Sequence, residues 1–272
     1  MTQTKTNITS SKRMNKEETH MKAIMYHTDG SPDILELKEE DMNPNRRTAV
    51  LVGALFLIST ATFILSNALI SPVVGSHNFL AAVADHSQLM IAAALIALIE
   101  GTATVGIALA LYPILKRQHP ALALGYAGMR IAELAIAVVG FGLGGLLLVT
   151  LSTTAANGTT SETLGTLLVA LRHWTLMLVY LYTAIGGLML SYMLLRTRLV
   201  PQWLSVLGLI GYVALLLAAV LDMLGLIDTV AGLGLVGLVP GGLFEFLLPI
   251  WLFARGFNLT ASDRMHVAHI SD

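Results

Sequence analysis

The sequence contains no cysteine. That absence excludes disulfides, thiolate metal sites, iron–sulfur clusters, thioether haem attachment and redox chemistry through protein thiols. Charge is scarce as well. Only 12% of residues are charged while 55% are hydrophobic, and the mean hydropathy is +0.74, values outside the range of an ordinary soluble domain. The bulk solvent of such a chain is lipid. Residues 1–20 lack the apolar run of about 7 to 15 residues that a signal peptide needs, and they read as a disordered polar tail. The apolar part also lacks a Ser/His constellation, a His-Glu-x-x-His string and paired aspartates. An intramembrane enzyme therefore ranks behind a binding or a structural role. No cofactor, metal centre or nucleic-acid partner is expected.

What charge there is lies mostly at one end. Of the 33 charged side chains, 16 precede residue 48, so the net charge of −1 averages unlike parts. These are a polar extension over 1–45, an apolar body over 46–257 and a short tail over 258–272. Within the extension, residues 21–40 carry two apolar-alternating runs around a Gly30-Ser31-Pro32 turn signal, the pattern of a short hairpin. This stretch, MKAIMYHTDGSPDILELKEE, resembles the start of the medium-chain quinone oxidoreductase and zinc alcohol dehydrogenase family. No catalytic-domain continuation follows, because Pro44 to Arg47 lead directly into apolar sequence. The resemblance therefore implies no dehydrogenase activity. A fusion scar, a remnant or an upstream start codon accounts for it, with Met42 as an alternative start.

A bilayer core about 30 Å thick needs about 20 helical residues per crossing. Apolar runs of that length fall at 48–70, 88–112, 122–150, 174–195, 203–225 and 231–254. The pattern predicts an all-α, polytopic membrane bundle of about six helices. Basic residues near span ends stay on the cytoplasmic side during insertion. Arg46 and Arg47, Lys116 and Arg117, Arg196 and Arg198, and Arg255 and Arg264 all fall on one side if the count is six. Arg172 is the exception on the other. That alternation places both termini in the cytoplasm of a multi-pass cell-membrane protein; five or seven spans would scramble it.

Several strings mimic soluble-enzyme motifs. Gly140, Gly142 and Gly145, and again Gly232, Gly234 and Gly237, fit G-x-G-x-x-G. A dinucleotide fingerprint needs a strand-turn-helix context, whereas small residues inside apolar spans let helices approach closely. Asn157-Gly158-Thr159 is a glycosylation sequon on an outer loop. His266 and His269 have a metal-compatible spacing but no third ligand.

The residues that stand out are ionisable groups at membrane depth: Glu100, Arg130, Glu133 and Glu245. A charge at a span centre costs about 2.5–3.5 kcal/mol on insertion scales, which neighbouring Leu, Ile, Val and Phe offset at about 0.3–0.6 each. Such a residue still needs a partner. Counting about 1.5 Å per residue from the cytoplasmic span ends puts Arg130 at about 8 Å, Glu133 and Glu245 at about 12 Å and Glu100 at about 18 Å. All four fit one layer in the inner half. Arg130 and Glu133 are i, i+3 neighbours on one helix face. With all four ionised, the layer carries two uncompensated negative charges in low dielectric, which calls for a proton, a cation or a cationic ligand. The competing reading is that Arg130 and Glu133 pair to lock spans together while Glu100 and Glu245 stay neutral and hydrogen-bonded. A second set, Asp85, His86, Arg172, His173 and Asp222, lies near the outer span ends and reads as solvated interface positions. In the sixth span, Pro240-Gly241-Gly242 predicts a kink or break one turn before Glu245, a device that transporters use to build sites.

These residues also carry a resemblance. The strings NRRTAVLVGALFLISTATFIL, ALYPILKRQHPALALGYAGMRIAE, LLRTRLVPQWLSVLGLIGY and FEFLLPIWLFARGF are similar to the bacterial integral membrane family catalogued as domain of unknown function 4386, across residues 46–257. Its R-x-x-E falls on Arg130 and Glu133, and its late F-E on Phe244 and Glu245. Gln202 departs from the basic residue that members often carry after the proline. The resemblance implies architecture rather than an activity. Two expectations stand: a proton, cation or small-ligand site made by the buried Glu and Arg side chains, or a structural or accessory subunit whose charges only hold helices together.

Overall fold

A computed structural model describes residues 44–154, 158–229, 232 and 234–258. The chain divides into two units, Met1–Met42 and Asn43–Asp272, and the second contains every described residue. The hairpin expected over 21–40, the alternative start at Met42, the sequon's Asn157 and the histidines His266 and His269 lie outside the described residues.

In lipid every backbone N–H and C=O must be satisfied within the protein, so long apolar runs fold as helices. They are α1 (Pro44–Val74), α2 (Phe79–Asp85), α3 (Ser87–Leu115), α4 (Pro120–Ala137), a π-helical turn (Val138–Leu143), α5 (Gly144–Thr154), α6 (Thr159–Thr197), α7 (Gln202–Met223) and α8 (Gly234–Arg255). No strand occurs among the described residues. Six stretches are long and apolar enough to cross a membrane, the third being α4, the π turn and α5 in one piece, Pro120–Thr154. The protein is a multi-pass helical membrane bundle. Pro120 sits in the first turn of α4, where its missing N–H costs nothing.

The six spans form a closed circuit. α1 packs on α3, α3 on α4, α4 on α6, α6 on α7, α7 on α8, and α8 returns to α1. The basic span ends gather at one end of this ring. There Arg46 Nη2 donates to the Phe253 carbonyl at 3.3 Å, the His119 and Tyr192 rings lie 6.2 Å apart, and the Asn258 amide donates to the Leu199 carbonyl at 2.8 Å. At the opposite end a separate apolar cluster of Ile70, Val73, Val83, Met90, Ala93, Leu148 and Val149 joins α1, α2, α3 and α5.

That second cluster explains the largest departure from the hydropathy reading. α6 begins at Thr159, not 174, and runs 39 residues, about 58 Å at 1.5 Å per residue. Its early polar residues hide a usable stripe: Leu168 and Val169 pack on the far-end cluster, and a β-carbon at Gly165 would press on Phe79 and Leu80 of α2. The separator read between the first two spans likewise contains α2. Of the kink or break anticipated at Pro240, no break occurs: α8 is one helix containing both Pro240 and Pro249. The irregularity lies instead in the third span, where the Gly144 amide reaches back to the Val139 carbonyl in a π turn. No turn signal announced it.

The glycine motifs serve packing. A β-carbon at Gly140 would fall on the Thr175 side chain, one at Gly237 would meet Ala218 at 3.2 Å, and one at Gly234 would strike the Asp228 backbone. Gly232 has φ +58°, the left-handed region that glycine enters without strain. Arg198, which ends α6, has φ 52°, and its side chain is exposed. A left-handed non-glycine residue costs about 1–2 kcal/mol. Arg198→Gly is therefore expected to raise stability in detergent by about 1 kcal/mol, after the entropy of the more flexible unfolded glycine is deducted. A drop in the unfolding midpoint would show that the Arg198 side chain holds contacts worth more than this strain.

Candidate functional site

The ring encloses a cavity of about 230 Å³ to which every span contributes. α3 supplies Glu100 and Thr104, α4 supplies Arg130 and Glu133, and α8 supplies Gly241, Gly242 and Glu245. α1 contributes Thr60 and Phe63, α6 Tyr180 and Thr183, α7 Tyr212. The void exceeds the roughly 150 Å³ that suffices to hold a benzene molecule in a protein interior. The four ionisable residues picked from the sequence are thus all in its wall. Counted from Leu115, Pro120 and Arg255 at about 1.5 Å per residue, Glu100 lies about 22 Å along its helix, Arg130 about 15 Å, Glu133 about 20 Å and Glu245 about 15 Å. The four therefore lie at comparable heights above the basic ends of their helices.

Two arrangements hold the charged groups. Arg130 Nη1 donates to Glu133 Oε2 at 2.7 Å, with both side chains buried, and the guanidinium carbon lies 5.5 Å from the Tyr126 ring centroid. The pair belongs to one helix, one turn apart, so it ties no two spans together. Arg130 Nε and the Tyr126 hydroxyl are buried without a hydrogen-bond partner among the described residues. Glu245 does link helices: its Oε2 accepts from Thr60 Oγ1 of α1 at 3.2 Å, and its Oε1 accepts from the Tyr212 hydroxyl of α7 at 3.3 Å. Tyr212 is held in turn by an edge-to-face contact with Phe244, centroids 5.7 Å apart, and by Gly187, where any β-carbon would fall within the Tyr212 ring. Among the described residues the Glu100 carboxyl makes no hydrogen bond, while its neighbour Thr104 donates to the Gly101 carbonyl at 2.8 Å.

The charge account follows from the wall. Three carboxyl groups and one guanidinium line the cavity, and the Arg130–Glu133 pair neutralises one of each. Glu100 and Glu245 are left over in a medium where an uncompensated charge is costly. Protons or a bound cation must supply the balance.

The second set is not one site. Asp85 and His86 are exposed at the α2–α3 corner, where His86 Nδ1 lies 2.9 Å from the Ala82 carbonyl. Arg172 Nη2 donates to Asn67 Oδ1 at 2.7 Å and its guanidinium stacks 5.0 Å from the Phe141 centroid. His173 Nε2 lies 3.3 Å from Asp222 Oδ1, and Asp222 Oδ2 accepts from both the amide and the hydroxyl of Thr229 at 2.7 Å. Asp222 is buried, so it is not the solvated interface group expected from sequence. It terminates α7 by holding the following turn.

Sequence reasoning passed over Thr60, Tyr180, Thr183 and Tyr212, which complete the cavity. Their signal was available: each is a hydrogen-bonding side chain deep in an apolar run, as Thr60 is in FLISTATFIL and Tyr212 in GLIGYVALL.

The family model of a domain of unknown function, DUF4386, matches residues 51–256 of the chain. No curated protein and no solved structure matches it. The matched region contains the whole cavity layer, whereas the oxidoreductase-like stretch at 21–40 lies outside it and finds no support.

Proposed function

We propose that this chain, which belongs to the DUF4386 family, binds a proton-carrying or cationic small ligand within its six-helix ring and acts as a transporter-like or ligand-sensing membrane protein. The observation that carries this reading is the cavity of about 230 Å³ whose wall holds two carboxyl groups beyond the Arg130–Glu133 pair. Ligand sites commonly combine an apolar concavity with a few convergent polar groups. The basic span ends, gathered at one end of the ring, support an orientation with both termini in the cytoplasm of the cell membrane.

The accessory-subunit reading keeps one specific support, the clasp from Glu245 to Thr60 and Tyr212. Its other support weakens, because an ion pair within α4 locks nothing but α4. Thermal unfolding of purified protein against a panel of cations and pH separates the two. A cation at 100 times its dissociation constant is expected to stabilise the folded state by about 2.7 kcal/mol, with the gain reduced in Glu100→Gln and Glu245→Gln and weakened at low pH, where protons compete for the carboxylates. If no cation shifts the midpoint and both substitutions destabilise like core cavities, by about 2–5 kcal/mol, the charges are structural and the ligand reading fails.

A further inference from the structure

The cavity is not sealed toward the bilayer. Of its wall residues only Ile64 on α1 and Phe246 on α8 are exposed, at 53% and 45%, and these two helices are neighbours in the ring. Elsewhere α1 and α8 are closely joined. At the basic end Gly53 fits against Phe253, whose ring a β-carbon would meet at 3.2 Å, and at the middle Thr60 reaches Glu245. Farther from the basic end, α8 packs closely on α7: a β-carbon at Gly211 would lie 2.5 Å from the Gly241 amide nitrogen. Gly242, one residue on, lines the cavity with nothing within 4 Å of where its β-carbon would be. The two exposed wall residues thus flank the Thr60–Glu245 contact, Phe246 on its basic-end side and Ile64 one turn beyond it, and this face of the wall leads at membrane depth to two unbalanced carboxyl groups.

We propose that this face holds a lateral portal between α1 and α8 through which the ring takes a single-chain amphiphile with a cationic head from the bilayer. The inference rests on the cation-site reading above and adds the ligand's class and its route. The head group, a protonated or quaternary amine, meets Glu245 and Glu100, and the rings of Phe63, Tyr180 and Tyr212 in the same wall suit a cation lodged against aromatic faces. The alkyl tail passes between Ile64 and Phe246 into lipid, so a void that admits only a small head accommodates a longer molecule. Access from lipid removes the need for a water-filled path past Arg130 and Glu133.

The test uses the full chain in lipid nanodiscs, with binding to empty nanodiscs subtracted. The probes are decyltrimethylammonium, decyl sulfate as the same tail with an anionic head, and tetramethylammonium as the head without a tail. Decyltrimethylammonium is expected to bind saturably at one site per chain, at least tenfold more weakly in Glu245→Gln and in Glu100→Gln; decyl sulfate and tetramethylammonium are not. Gly242→Leu, whose β-carbon meets nothing within 4 Å, is expected to slow association at least fivefold without loss of unfolding midpoint, and Ile64→Ala to speed it. If tetramethylammonium binds as well as the decyl compound and Gly242→Leu leaves the rate unchanged, the lateral route is overturned while the cation site stands. If decyltrimethylammonium does not bind but protons or an inorganic cation shift the unfolding midpoint, the amphiphile is wrong and the site again stands. If decyl sulfate binds equally, or nothing binds and nothing shifts, the charge logic fails and both fall.

Discussion

Replacing Arg130 with methionine is expected to lose about 3–5 kcal/mol of stability, the penalty for removing one partner of a buried ion pair. Among the described residues the guanidinium is the single cation in a cavity wall that also holds Glu100, Glu133 and Glu245, and its hydrogen bond to Glu133, at 2.7 Å, is shorter than those of Glu245. Without it Glu133, 1% exposed, has no opposite charge within the layer. Methionine keeps most of the volume against Tyr126 and Gly186, so the loss reports charge rather than a cavity. The control is the double variant Arg130→Met with Glu133→Met. Because both members of the pair lie on α4, removing them together leaves neither partner of that pair unpaired and breaks no link between helices. It is expected to recover most of the single variant's deficit, as replacement of buried pairs by apolar residues often does. The measurement is a denaturant titration in mixed micelles, read by circular dichroism. A single-variant loss below about 1 kcal/mol, the scale of an exposed pair, would mean that water or an unassigned group already compensates Glu133.

What the sequence disclosed and what it hid divide along the range of the interaction. Spans were legible because lipid imposes one local rule, an apolar run of sufficient length, and the basic residues of Arg46, Lys116, Arg196 and Arg255 then set their alternation. Glu100, Arg130, Glu133 and Glu245 were legible for the complementary reason: a charge inside such a run is costly and has to be explained. Hidden were the features that depend on a neighbour. Thr159–Leu171 is too polar for a hydrocarbon span, yet it is helical because α2 and α5 cover its apolar stripe, α2 through Phe79 and Leu80, which lie 86 and 85 positions before Gly165. Pro240 was read as a kink or break, but α8 runs through it as one helix, packed closely on α7 where Gly211 lacks a β-carbon. Asp222 was read as solvated because its partner Thr229 lies beyond the span end, and only the folded turn brings them to 2.7 Å. The portal could not be read at all, since it consists of an interval between two helices rather than of any residue.

Gly211→Val is expected to be among the most damaging glycine substitutions in the bundle. At most close approaches a β-carbon meets a side chain that can turn aside. At Gly211 it meets backbone: the amide nitrogen of Gly241 at 2.5 Å, its α-carbon at 2.6 Å and the Pro240 carbonyl carbon at 2.8 Å. Helix backbones cannot step back without moving whole, so α7 and α8 must part along their length. Overpacking of a rigid contact costs about 3 kcal/mol at its upper end, and a β-branched residue has no second χ1 rotamer in a helix with which to escape. The consequence reaches the cavity, because Tyr212 follows Gly211 directly and donates to Glu245 on the displaced helix. Parting α7 from α8 lengthens a bond that is already 3.3 Å and presses α8 toward α1, across the interval between Ile64 and Phe246. Gly211→Val should therefore lower the unfolding free energy by about 3 kcal/mol and weaken decyltrimethylammonium binding together with it. Gly211→Ala, with one carbon and the same clash, should show both losses in smaller measure. Unchanged stability in Gly211→Ala would mean that α7 and α8 are farther apart than the glycine contact places them.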